Sequence, residues 1–198
     1  MVTRGLVRFA VHLTILAAIA TPGLTAQTIS LYGTYSPTHI TNAATGGFGT
    51  TTTTGYWSAD FGGGVTYSPV HVGPLWLGAD FRGSKSGQTQ AAETLMAGVK
   101  LGINSADVPM KAYIQASGGY IGSRAILTNA AVGIAGTAPN TGFWGYEILG
   151  GVDQKIVPHV AYRLIEIAGG QGYYRGGAIS HTPNISIFSV STGVVVSF

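Results

Sequence analysis

The chain has 198 residues, and charged residues make up 9% of it, far below the roughly 25% of a soluble globular domain. The absence of cysteine excludes disulfides, thiolate metal sites and a cysteine nucleophile, and no lysine or arginine cluster supports nucleic-acid binding. The mean hydropathy of +0.32 arises without any run beyond residue 30 that approaches the ~20 apolar residues of a membrane helix. This combination favours alternating strands in a bilayer over the alternative, a soluble glycine-rich β-sandwich.

The beginning of the chain has the three parts of a secretory signal peptide. Arg4 and Arg8 supply the positive end, and residues 9–20 form the apolar core. An uncleaved anchor is the alternative, but this apolar run is too short to span a bilayer comfortably. We therefore expect residues 1–26 to be a cleaved signal peptide and residues 27–198 to form one exported domain.

Eight segments beyond the leader alternate apolar and polar residues with the period of a β-strand. They lie near residues 27–39, 56–68, 75–83, 93–103, 110–123, 143–155, 159–174 and 186–198. Short, proline-containing connectors alternate with longer polar ones, and the first long connector, residues 40–55, is predicted to be a loop. Short turns at one end and long loops at the other are typical of outer-membrane barrels. The sequence therefore predicts an all-β, eight-stranded antiparallel up-and-down transmembrane β-barrel, with both termini at the short-turn end.

The two faces of each segment differ in the way that a membrane barrel requires. Leu75, Leu77 and Phe81 share one face of the third segment, whereas Asp80 and Arg82 share the other. A lysine or arginine that faces mid-bilayer lipid costs roughly 2–4 kcal/mol. The second face is mostly glycine, serine and threonine with few charges, whereas a solvated face would carry many more. We therefore expect the apolar face to contact lipid and the small polar face to line a narrow lumen.

Aromatic residues are predicted to mark the two membrane interfaces, because the rings of tyrosine and tryptophan favour the headgroup level. The expected positions near the long loops are Tyr35, Trp57, Trp144 and Tyr146, and those near the short turns are Tyr67, Trp76, Tyr162 and Phe198.

These features resemble the small outer-membrane β-barrel proteins, such as the membrane domain of outer membrane protein A, over residues 27–198. The chain ends in "VVVSF", and in that superfamily the last strand ends in a phenylalanine that the outer-membrane assembly machinery reads. The resemblance implies that Phe198 is the assembly signal and that the last strand pairs with the first. It also implies that the protein lies in the outer membrane of a Gram-negative cell. The stretch "YSPTHITN" of residues 35–42 is similar to sequences of acidobacterial barrel proteins.

The predicted lumen of an eight-stranded barrel is just wide enough for side chains to fill. The charges expected to point inward are Asp60, Asp80, Arg82, Lys100, Lys111, Glu147, Asp153, Arg163 and Glu166. Buried charges are costly unless they are paired, so we expect a salt-bridge network that plugs the lumen. Strict alternation from Arg163 would point Glu166 at lipid, and we therefore predict a bulge near residues 164–165. The alternative is that these carboxylates line a narrow passive channel or an acid–base site.

Two histidines define a third hypothesis. His39 in "THITN" and His181 in "SHTPN" loosely resemble the His-x-Ser-Asn motif of lipid A deacylases, in which the histidine activates the serine. Thr41 and Pro183 stand where that serine should be, so a lipid A-modifying hydrolase at the extracellular rim is the least favoured alternative. No catalytic, metal-binding or cofactor-binding residue is predicted, and no cofactor is expected.

The favoured hypothesis is thus a non-enzymatic integral outer-membrane protein with a plugged lumen and a structural or loop-mediated surface role. Its expected partners are outer-membrane lipids, lipopolysaccharide and the outer-membrane assembly machinery, but not nucleic acid. The sequence does not identify an oligomeric state, and a monomer is favoured.

Overall fold

The computed structural model describes residues 28–45, 51–86, 92–104, 108–123, 128–129, 134–135, 141–174 and 185–198. The predicted signal peptide, residues 1–26, lies outside the described residues. None of the described residues belongs to a helix that is long and apolar enough to cross a membrane.

Ten strands account for nearly all of this described part. They are β1 (Thr28–Thr45), β2 (Thr51–Val72), β3 (Leu75–Ser86), β4 (Ala92–Asn104), β5 (Met110–Ser123), β6 (Thr128–Asn129), β7 (Ile134–Ala135), β8 (Thr141–Val157), β9 (Val160–Tyr174) and β10 (Ile185–Ser197). Eight of them form a closed antiparallel barrel in the order β1-β2-β3-β4-β5-β8-β9-β10. The predicted eight-stranded barrel is confirmed. The β6–β7 pair, a separate two-stranded sheet between β5 and β8, was not predicted.

The first hairpin is longer than the sequence predicted. Pairing of β1 with β2 continues to Thr45 and Thr51, so much of the connector predicted as a loop over residues 40–55 is strand. Threonine is β-branched and favours extended backbone, and each added pair of residues satisfies further backbone groups. β1 has 18 residues, whereas about 9–11 suffice for a tilted strand to cross a bilayer. This hairpin is therefore longer on the long-loop side than a membrane crossing would require.

The first and last strands close the barrel, as predicted. Leu31 of β1 pairs with Val196 of β10, and the pairing extends to Asn42 and Ile185. The backbone N–H of Phe198 donates to the carbonyl of Ile29 at 2.8 Å. Closure leaves no unpaired sheet edge, which a bilayer would not tolerate.

The turn between β2 and β3 needs a residue in the left-handed region. Gly73 has φ of 59°, a conformation that residues with a Cβ rarely adopt. Pro74 follows it, and the carbonyl of Pro74 accepts the N–H of Asn104 at 2.7 Å. The turn is thereby joined to the end of β4, which stabilises the short-turn rim.

Large apolar side chains cover the outer surface of the barrel. Phe61, Val99 and Ile148 expose 64%, 57% and 60% of their surface, which a water-soluble barrel would avoid. The apolar residues thus lie on the outer face, as predicted. Trp76 is an exception among the predicted interface aromatics: it points into the lumen and is 8% exposed. Its position between outward Leu75 and Leu77 requires this orientation, because alternate residues of a strand face opposite sides.

Candidate functional site: the barrel lumen

All nine predicted lumen charges lie on the inner face of their strands, and six of them form one connected ion network. Its centre is Glu166 of β9. Arg82 of β3 donates from both terminal nitrogens to this carboxylate, at 3.0 and 3.1 Å. β3 and β9 are four strands apart in the ring of eight, so the Arg82–Glu166 pair crosses the full width of the lumen.

A second guanidinium approaches Glu166 from its own strand. Arg163 Nη1 lies 3.0 Å from Glu166, and Arg163 Nε donates to Asp153 of β8 at 2.9 Å. Arg163 has no exposed surface, and Glu166 is 2% exposed. Hydrogen bonds to ionised groups of this kind are stronger than neutral ones, and charged groups can be buried here only because they neutralise each other.

Asp80 is the member of the network that accepts most of its hydrogen bonds from neutral groups. It accepts hydrogen bonds from Tyr32 at 2.8 Å, Thr66 at 2.5 Å and Gln115 at 2.9 Å. Arg82 lies between this carboxylate, at 3.3 Å, and that of Glu147, at 3.4 Å. Side chains of β1, β2, β3, β5, β8 and β9 therefore meet in one layer.

Two lumen tyrosines that the sequence reasoning missed complete this layer. Tyr113 donates to Glu166 at 2.7 Å, and the ammonium of Lys100 lies 3.8 Å from the centre of its ring. The guanidinium of Arg163 lies 4.5 Å from the ring centre of Tyr32. Such cation–π contacts attract a cation without adding negative charge. The alternation did contain the signal, because Tyr113 shares the face of inward Gln115.

The irregularity predicted beside Glu166 is present. The register between β8 and β9 passes from Val152–Ile165 to Asp153–Arg163, which leaves Leu164 without a partner on β8. Leu164 and Ile165 are both exposed on the outside, and Glu166 returns to the lumen. The extra residue is what allows Arg163 and Glu166, three positions apart, to point to the same side.

Three of the predicted charges lie outside the ion network. Asp60 is buried beside the hydroxyl of Ser58, which also lies 2.9 Å from the hydroxyl of Ser86. Within the described ranges, Lys100 and Lys111 have no carboxylate within 4.0 Å. The structure thus brings together six of the nine residues and leaves these three without an ion pair among the described side chains.

An apolar layer lies inside the lumen on the long-loop side, where the sequence reasoning expected small polar residues. Its buried members are Ile40, Met96, Ile121, Phe143, Ile185 and Ile187. The sequence places Ile40 in a predicted loop and Ile185 just outside a predicted strand, so strand alternation does not predict that they point inward. These side chains pack together inside the lumen on the long-loop side of the ion network.

Two small cavities flank the ion network. The long-loop cavity, of about 40 Å³, is lined by Tyr32, Asp60, Arg82, Glu147, Glu166 and hydroxyl-bearing residues. The short-turn cavity, of about 50 Å³, is lined by His71, Trp76, Lys100, Asn104, Lys111, Asp153, Arg163 and small residues. A water molecule needs ~10–15 Å³ of such volume, so each cavity holds only a few waters.

Gly151 makes room for one of the lumen tyrosines, and Gly151→Ala is expected to destabilise the barrel by about 1–3 kcal/mol through overpacking. A Cβ there would lie 2.5 Å from the hydroxyl of Tyr113 and 3.0 Å from the carbonyl of Ile165. Urea unfolding in lipid vesicles, followed by tryptophan fluorescence, measures the change. Gly33→Ala is the matched control, because no atom lies within 4 Å of a Cβ at that position. Equal stability of the two variants would contradict the crowding seen around Tyr113.

His39 lies on the outer face of β1, and His181 lies outside the described residues. Nδ1 of His39 is 3.5 Å from the hydroxyl of Thr41, and the His39 ring packs against Trp57 with ring centres 5.0 Å apart. No described carboxylate forms an ion pair with this histidine. Among the described residues there is also no cluster of three side chains that could hold a metal ion. The geometry around His39 thus contains no arrangement that would orient it as a general base.

Comparison with solved structures identifies the fold. No family model matches the sequence, and no curated protein gives a significant match. The N-terminal β-barrel domain of Pseudomonas aeruginosa OprF is similar with a TM-score of 0.53 and 9% identity, over 86% of this chain and 97% of that one. Ail, the attachment invasion locus protein of Yersinia pestis, has a TM-score of 0.50 and 9% identity, over 88% of this chain and 100% of that one. With its closed eight-stranded sheet and apolar outer surface, the chain has the fold of these small bacterial outer-membrane β-barrels.

Proposed function

We propose that this protein is an integral outer-membrane barrel whose lumen is plugged by its own side chains, and whose role is structural or carried by its long loops. The observation that supports the plug is the Arg82–Glu166 pair, which joins opposite walls of the barrel at 3.0 and 3.1 Å. The guanidinium of Arg163 and the hydroxyl of Tyr113 also contact Glu166, at 3.0 and 2.7 Å.

The energetics of the network also favour a closed lumen. A hydrated ion that passed this layer would have to separate Glu166 from two guanidinium groups and from the hydroxyl of Tyr113. Breaking a buried ion pair by removal of one partner costs about 3–5 kcal/mol, so such openings are rare. The apolar layer on the long-loop side adds a second barrier, because its side chains offer an ion no hydrogen bonds.

We propose that residues 1–26 are removed as a signal peptide and that residues 27–198 form the mature barrel. Phe198, whose backbone N–H bonds to Ile29 at the β1–β10 closure, is proposed as the signal for the outer-membrane assembly machinery. The apolar outer surface would contact outer-membrane lipids and lipopolysaccharide, and a monomer satisfies all barrel edges without a partner.

Conductance in planar lipid bilayers tests the plug. We expect the purified full-length barrel to give no steady, defined openings, because the ion network and the apolar layer both close the lumen. A general porin inserted into the same bilayer serves as the control for incorporation, and a change in gel mobility on boiling verifies that the sample is folded. Reproducible single-channel openings of the folded barrel would support the narrow passive channel instead.

A further inference from the structure

The short-turn cavity carries an excess of positive charge. Lys100, Lys111 and Arg163 line it, whereas Asp153 is the only carboxylate among its lining residues. Lys100 and Arg163 are almost fully buried, at 2% and 0% exposure. Solvent therefore screens these two charges poorly.

Lys100 in particular forms no direct ion pair with a described carboxylate, although Asp80 attracts it electrostatically. No described carboxylate lies within 4.0 Å of its ammonium, and its nearest described charge-related contact is the ring of Tyr113 at 3.8 Å. The neighbouring carboxylates already have partners. Asp153 binds Arg163 at 2.9 Å, Glu166 binds two guanidinium groups, and Asp80 accepts hydrogen bonds from three neutral side chains and pairs with Arg82. No described side chain accepts a hydrogen bond from Lys100, so a negative or polar partner from outside the chain would stabilise its ammonium.

Other groups in the same cavity are donors without acceptors. The indole N–H of Trp76 and Nη2 of Arg163 have no hydrogen-bond partner among the described atoms, and neither has Nδ1 of His71. The side-chain oxygen of Asn104 is also unpartnered, but this amide can be turned to present its NH₂ group instead. Donors without acceptors, in a cavity lined by three cationic side chains and one carboxylate, suit an anion and would repel a cation.

We propose that the short-turn cavity binds a small inorganic anion of about the size of chloride. A volume of about 50 Å³ accommodates such an ion with one or two waters, and is too small for a lipid headgroup or an organic acid. The cavity reaches half-exposed Thr28 and Ser197 at the short-turn end, which gives an ion access from the periplasmic side. An anion can enter this cavity from the short-turn end without passing the ion network. The proposal is therefore independent of whether the lumen is closed.

Chloride-35 NMR tests the proposal on the folded, full-length barrel in an uncharged detergent. We expect the barrel to broaden the chloride resonance, and nitrate, a small competing anion, to reverse the broadening, whereas bulky gluconate leaves it unchanged. Lys100→Met should weaken the apparent affinity by about tenfold or more, because it removes one partner of a buried charge contact. Lys85→Met is the matched control: this lysine is exposed, pairs with Glu93 at 3.4 Å and lies at the opposite end of the barrel.

The outcomes separate the site from general attraction to a basic protein. Broadening that is absent in the wild type, or that survives Lys100→Met, or that is lost equally in Lys85→Met, would overturn the proposal. If Lys100→Met does not fold, Lys111→Gln at the half-exposed mouth takes its place and is expected to reduce the affinity several-fold. A bromide soak of the crystallised barrel gives a second readout, with an anomalous peak expected beside Lys100, and its absence at a bromide concentration that saturates the NMR effect would contradict the assignment.

Discussion

Arg163→Met is expected to lower the free energy of unfolding by about 3–5 kcal/mol, the range seen when one partner of a buried ion pair is removed. Arg163 has no exposed surface and lies between Asp153 at 2.9 Å and Glu166 at 3.0 Å. The substitution leaves two carboxylates short of positive charge in a place that water reaches poorly. Urea unfolding of the barrel in lipid vesicles, followed by tryptophan fluorescence, measures the loss.

The control for this prediction is a solvent-exposed salt bridge of the same barrel. Lys85→Met removes the exposed Lys85–Glu93 pair, with atoms 3.4 Å apart, and should cost no more than about 1 kcal/mol. A double variant, Arg163→Met with Asp153→Asn, should recover part of the stability that the single variant loses, because it removes one uncompensated charge. Equal small losses for Arg163→Met and Lys85→Met would show that the buried network contributes little to stability.

Val99→Arg is expected to destabilise the folded barrel by about 2–4 kcal/mol, because it places a charge on the lipid-facing surface near the bilayer midplane. Val99 is 57% exposed and pairs with Ala79 and Ala116 in the middle of their strands. The adjacent Lys100 is tolerated because it points into the lumen, where it is 2% exposed. The same unfolding measurement in vesicles checks the prediction.

Val72→Arg is the matched control for depth in the membrane. Val72 is also an exposed outward valine, at 69%, but it lies beside the short β2–β3 turn, where the headgroups and water begin. An arginine there should cost only about 0–1 kcal/mol. If the two variants were equally stable in vesicles, the surface around Val99 would not face hydrocarbon.

The fold and much of the lumen were predictable for one physical reason. Successive strand residues point to opposite sides, so Asp80 and Arg82 had to share a side and outward Phe81 had to face the other. The same rule, read more consistently, would have placed Trp76 and Tyr113 inside. Trp76 was wrongly predicted at the membrane interface because aromatic rings near strand ends often lie there. Alternation with outward Leu75 and Leu77 places it on the inner face instead.

The ends of the strands were less predictable than their centres. Ile40 is buried in the apolar layer, although its segment has the small and polar composition of a loop. Continued pairing of β1 with β2 makes this segment a strand, and a strand can be long where its partner continues beside it. Composition alone does not show that a partner is there.

By itself, the sequence determined that this protein is a barrel with an apolar exterior and an interior that holds charges of both signs, because alternation is a local property of each strand. It also indicated the bulge beside Glu166, since a carboxylate facing lipid is too costly to keep. Only the tertiary structure decided which charges meet. Arg82 and Glu166 are 84 positions apart and lie on opposite walls, so their contact depends on the register of all eight strands and on the closure of β1 with β10. For the same reason, no local pattern could show that Lys100 would line a cavity without a direct ion pair among the described side chains.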